Sequence, residues 1–144
     1  MGTLLDLYDY AEAEDIAVYW YPLRKGPSLS LPGGAFDCGA VALDPWKLDS
    51  IAMEKVCLGH EVGHCKTGAF YNKYAACDVR KKHENRADKW AIGKLIPAEE
   101  LDAAVTAGHT ELWDLADYFG VTEAFMRKAV CWYKFGNLAP ELYL

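Results

Sequence analysis

An α+β fold follows from three features of this chain. Short β-branched and aromatic runs occupy its first third, helical periodicity takes over from about Ser50, and Pro/Gly clusters separate the two kinds of segment. The expected architecture is a small antiparallel sheet packed on a helical layer. Residues 1–97 are expected to form this sheet-and-helix layer and residues 98–144 a C-terminal helical extension packed on it, all within a single domain, as a length of 144 residues suggests.

The elements follow in order. Leu4, Leu7, Tyr8 and Ala11 recur at helical spacing over residues 4–14, and Ile16–Tyr21 is an apolar, β-branched and aromatic run ended by Pro22, so a helix and then a strand are expected. Gly26-Pro27 and Pro32-Gly33-Gly34 mark turns around a second strand, Ser28–Leu31, and a third, Cys38–Leu43, closes at Asp44-Pro45. From Ser50, the residues Met53, Val56, Cys57, His60 and His64 share one face at a 3.6-residue period, which predicts a helix with two histidines on its buried side. A polar loop over Thr67–Lys82 and a helix over Glu84–Ile96, stopped by Pro97, come next. Three shorter helices are expected over 98–107, 110–119 and 122–134, with Gly108 and Gly120 between them and Thr122 as an N-cap.

Composition narrows the function classes. The chain is 52% hydrophobic and 25% charged, which excludes an intrinsically disordered segment. A net charge of −6 argues against broad attraction to nucleic acids or anionic membranes and favours a protein or peptide partner. The N-terminus carries no basic start, no run of about 18 apolar residues occurs, and the five cysteines (Cys38, Cys57, Cys65, Cys77, Cys131) lack the spacing of a disulfide scaffold. A reduced, cytoplasmic, non-exported protein is expected.

The chemistry is concentrated in His60-Glu61-Val62-Gly63-His64, an H-E-x-x-H pattern. Residues four apart on a helix lie one above the other, so both imidazoles can reach one ion while Glu61 beside them acts as general base toward a water on it. Gly63 suggests a close approach, because a mid-helix glycine costs about 1 kcal/mol relative to alanine. A catalytic zinc takes three protein ligands and keeps one position open. Glu84, 20 residues beyond His64, is the expected third ligand, and Asp88 one turn later is placed to hydrogen-bond the other nitrogen of a ligand histidine. One zinc per chain is thus the expected cofactor. Competing readings are histidines buried for structural reasons, a solvated helix face for Glu84 and Asp88, and a closed structural zinc with Cys57, Cys65 or His83 as fourth ligand.

Leu58-Gly59-His60-Glu61-Val62-Gly63-His64-Cys65, followed by Glu84-Asn85-Arg86-Ala87-Asp88-Lys89-Trp90-Ala91 and Leu95-Ile96-Pro97, resembles the ImmA/IrrE family of zinc metallopeptidases, in particular its compact phage and mobile-element members. The resemblance implies His60, His64 and Glu84 as zinc ligands, Glu61 as general base, and a transcriptional repressor as the protein substrate, cleaved to release silenced phage or mobile-element genes. An oxyanion donor is expected among Tyr71, Tyr74, His83 and His109, in no order. The substrate is expected to lie extended along strand Cys38–Leu43. The alternative function is a non-catalytic, zinc-stabilised regulator that captures a repressor.

Leu115–Val130 resembles a helix-turn-helix, with Gly120 at the turn. Over residues 98–144, however, Glu99, Glu100, Asp102, Glu111, Asp114, Asp117, Glu123 and Glu141 face only Arg127, Lys128 and Lys134, an excess of five negative charges. A recognition helix needs phosphate-neutralising neighbours, so packing or protein docking is expected there and no DNA binding at physiological salt.

Overall fold

The computed structural model describes residues 2–33, 39–72 and 74–142. Helix α1 (Leu4–Ala13) leads into strand β1 (Ala17–Trp20), then β2 (Ser28–Pro32) and β3 (Gly39–Leu43). Helices α2 (Ile51–Thr67), α3 (Cys77–Leu95), α4 (Ala98–Thr106), α5 (Leu112–Phe119) and α6 (Glu123–Phe135) follow, and a 3-10 turn spans Pro140–Leu142. The α+β class is as expected. Among the described residues, no helix is long and apolar enough to cross a membrane.

The helix starts obey local chemistry. Thr3 and Asp6 form a reciprocal capping box on α1, Ser50 accepts from the Met53 amide at the start of α2, and Thr122 caps α6 through the Phe125 amide. Gly120 ends α5 at φ +65°, where a side chain would be strained and would also crowd the Lys55 ammonium. That lysine is buried and donates to the carbonyls of Gly2 and Phe119, both at 2.6 Å, tying the chain start and the end of α5 to α2. Burial lowers its pKa, with the Asp6 charge opposing.

The sheet departs from expectation: it is mixed, in the order β1-β3-β2, with β1 parallel and β2 antiparallel to β3. Composition explains the order. Strand β3, Gly-Ala-Val-Ala-Leu, carries no polar side chain and suits the centre, whereas β2 is bracketed by Pro27 and Pro32, which cannot donate to a second neighbour. Strand Cys38–Leu43 is therefore not the exposed edge expected for substrate, because β3 has a neighbour on both sides; Cys38 itself lies outside the described residues.

Two helix expectations also need correction. Helix α3 begins at Cys77 rather than Glu84, so part of the segment read as a polar loop is helical. Its first turns, Cys77–Lys82, are exposed and mostly polar, and therefore carry no apolar stripe to reveal them. In α2 the core face is Leu58 and Val62, fully buried, each followed by a buried glycine, Gly59 and Gly63. Met53, Val56, Cys57 and His60 are only half-buried; Val56, Cys57 and His60 line a cleft instead.

The core joins α1 (Leu7, Ala11), β3 (Val41, Leu43), α2 (Leu58, Val62), α3 (Ala91, Ile92, Leu95) and the C-terminal helices through Leu115, Phe119, Phe125 and Met126. Helices α2 and α3 pack closely at Gly63, where an added Cβ would sit 2.6 Å from the Ala87 carbonyl oxygen. Backbone cannot yield as a flexible side chain can. Gly63→Ala is expected to destabilise by about 1–3 kcal/mol through overpacking. Gly93→Ala, at an exposed α3 position with open space around it, should be neutral or stabilising by up to about 1 kcal/mol. Thermal denaturation of the two variants side by side checks the contrast.

Candidate metal centre

Gly63 lies between His60 and His64 on α2, and Ala87 lies between Glu84 and Asp88 on α3. The close helix contact therefore sets two imidazoles against two carboxylates. His60 Nε2, His64 Nε2 and Glu84 Oε2 converge: the nitrogens are 3.1 Å apart, and the oxygen lies 2.6 Å from the first and 3.2 Å from the second. These three residues could hold a metal ion, and no other such group occurs among the described residues. Around an ion bound at about 2.0–2.1 Å from each donor, tetrahedral geometry separates the donors by roughly 3.3 Å. The two distances from His64 Nε2, 3.1 and 3.2 Å, already match, and the 2.6 Å between His60 Nε2 and Glu84 Oε2 must open by roughly 0.7 Å, within reach of a side-chain rotation, so the donor set fits.

The outward nitrogens are also engaged. His60 Nδ1 faces Asp88 Oδ1 at 2.7 Å and His64 Nδ1 faces the Ala69 carbonyl. An acceptor at Nδ1 keeps the proton there and leaves the Nε2 lone pair for the ion, the usual support of a ligating histidine. Asp88 is buried and takes a second contact, from Lys128 Nζ of α6 at 3.0 Å. The Tyr71 hydroxyl donates to Glu84 Oε1 at 2.7 Å, and that contact, with burial, pushes the phenol up to about 12.

The side chains of the cluster also hydrogen-bond one another. Burial alone would lower the pKa of His60, but hydrogen bonds to Asp88 and Glu84 outweigh it and push the imidazole up to about 10. Burial would likewise raise Glu84, yet contacts with His60, His64 and Tyr71 hold it well below the usual carboxylate range, and Asp88 is also held low.

Glu61 is buried on α2, and its Oε2 accepts from Ser28 Oγ of β2 at 2.6 Å. It lines a cleft of about 280 Å³ with Ser28, Ser30, His64, Tyr71 and Glu84. A second cleft of about 330 Å³ shares Ser28 and Glu84 and continues past His60 and Asp88 to Thr122, Phe125 and Lys128. The three donors thus sit between two hollows, bordered by the edge strand β2.

The predicted residues His60, His64, Glu84 and Asp88 are brought together, and Glu61 stands in the wall of the first cleft. Of the fourth-ligand options, none joins the cluster: the Cys65 thiol faces the Leu31 and Ala40 carbonyls, and His83 stacks on Tyr71. Tyr71 is the oxyanion candidate placed at the centre. His109 pairs with Asp114 between α4 and α5, and Tyr74 is exposed. Ser28 and Lys128 were not anticipated. Ser28 carried a weak signal, the Ser/Leu alternation of β2, whereas Lys128 lies 40 residues from Asp88 with no pattern to link them.

Comparison with protein-family models, with curated proteins and with solved structures finds no match to this chain.

Two outcomes are expected. Asp88→Asn should weaken metal affinity about 10–100-fold, measured by competition with a chromophoric chelator, because the amide is a poorer acceptor for His60 Nδ1–H. In the metal-free protein, the raised pKa of His60 contributes stability that is fully present below its unfolded value near 6.5 and is lost as pH rises through about 10. The melting temperature of metal-free protein should therefore fall over that window, and His60→Gln should remove that component.

Proposed function

We propose that the protein is a zinc-dependent metallopeptidase of narrow specificity that cleaves a protein substrate. The observation that carries this reading is the convergence of His60 Nε2, His64 Nε2 and Glu84 Oε2 beside two clefts, without a fourth protein donor among the described residues. Two imidazoles and a carboxylate suit zinc, and three ligands with a free position are the pattern of catalytic rather than structural zinc sites. What adds a reaction to metal binding is Glu61, a carboxylate in the cleft wall that lies outside the donor set and, among the described residues, outside any ion pair.

Zinc held by these three side chains would polarise a scissile carbonyl and lower the pKa of a water toward about 7. Glu61 then accepts the proton of the attacking water and returns it to the leaving amine, with Ser28 orienting the carboxylate. Asp88 and the Ala69 carbonyl keep both imidazoles in the Nδ1–H tautomer. Tyr71, released from Glu84 Oε1, can donate to the developing oxyanion. The substrate backbone pairs with the free edge of β2, whose Ser28 and Ser30 line the first cleft, and so crosses the donors in extended form. The resemblance to ImmA/IrrE peptidases supports a transcriptional repressor as that substrate and a cytoplasmic site of action.

Glu61→Gln tests the reading, because it keeps size and the Ser28 contact while removing the base. The variant is expected to retain its metal and lose about 10²–10⁴-fold in cleavage rate. The measurement is mass-spectrometric profiling of new N-termini in cells expressing either form. New termini present with the parent and missing with Glu61→Gln support a peptidase. Identical termini with the two forms, with metal retained in both, contradict it and leave a zinc-stabilised binding protein.

A further inference from the structure

The sheet has an inside and an outside, and β2 is turned against the usual order. Register places Leu29 opposite Ala42 and Leu31 opposite Ala40, and on the other side Ala17 opposite Ala40 and Tyr19 opposite Ala42. Directly paired residues point to the same face. One face therefore carries Val18, Val41 and Leu43 against the core, together with Ser28 and Ser30 toward the cleft. The opposite face carries Ala17, Tyr19, Ala40, Ala42, Leu29 and Leu31. A sheet wetted on its outer face normally alternates apolar-in, polar-out. Here the serines point in and the leucines out, and none of the paired strand residues on the outer face is charged.

That face is open. Tyr19 is 60% exposed, Leu29 46% and Leu31 56%. Tyr21 extends the same row, its amide donating to the Leu43 carbonyl, and Trp46, 88% exposed, follows the end of β3. From these exposures the side chains present roughly 600 Å² of surface, the upper end of what a monomer leaves in one patch, and two copies together would bury about 1,200 Å², above the ~1,000 Å² that a specific interface needs.

We propose that this face is the interface of a homodimer, in which two sheets pack outer face to outer face as in a β-sandwich. The occupant is a second copy because the area, doubled, reaches what a stable isologous contact buries, with the same patch supplied by both chains. It also lets two chains of net charge −6 meet without bringing like charges into the seam. Face-to-face packing leaves the free edge of β2 and both clefts open, so the interface does not compete with the metal centre and does not depend on its being catalytic.

Sedimentation velocity of the whole chain from about 1 to 100 μM tests this. The expected result is a species of twice the 16.1 kDa chain mass at the upper concentrations. Leu31→Lys and Tyr19→Lys should each convert it to monomer, with far-UV circular dichroism and metal content unchanged. Val105→Lys, on the separate apolar groove of α4–α6, should leave it dimeric. A parent that stays monomeric throughout overturns the proposal. A dimer that survives both sheet variants overturns it as well, as does one that dissolves only with Val105→Lys.

Discussion

The contact on which the site depends is the approach of α2 to α3 at Gly63 and Ala87. Because a Cβ on Gly63 would meet the Ala87 carbonyl oxygen at 2.6 Å, the two helices can lie this close only with glycine there. The residues one short step to either side then have no choice of neighbour. His60 and His64 face Glu84 and Asp88, and the whole constellation is carried by two long helices rather than by loops, which gives it the rigidity that a preorganised centre needs. The fully buried Leu58, Val62, Ala91 and Ile92 behind it fix the rotation of each helix about its axis.

Within the cluster the charges are balanced. Two carboxylates and two imidazoles share protons in a partly buried setting, so each buried charge has an opposite neighbour, and Lys128 balances the far oxygen of Asp88. An ion entering the site must displace the proton held by His60, which makes metal loading a competition with protons. The same buried acid–base pairs thus set the pH dependence of taking metal up.

The site was more legible in the sequence than the sheet. A spacing of four on a helix is a local rule, so His60 and His64 could be paired without knowledge of the fold, and Glu84 with Asp88 by the same rule. The strand order was not local. Nothing in Ser28–Leu31 says whether β1 or β3 is its neighbour, and the parallel pairing of β1 with β3 emerges only when the apolar β3 takes the centre. The first turns of α3 escaped because solvent surrounds them and no apolar period is needed. Ser28 on Glu61 and Lys128 on Asp88 are contacts across 33 and 40 residues, set by tertiary packing and invisible to any spacing rule.

The central claim is that His60, His64 and Glu84 form one metal site, and elemental mass spectrometry of the purified protein tests it most directly. The account predicts about one zinc per chain in the parent and far less in both His60→Ala and Glu84→Ala. Zinc retained undiminished in Glu84→Ala, or no metal in the parent even after reconstitution, would contradict it.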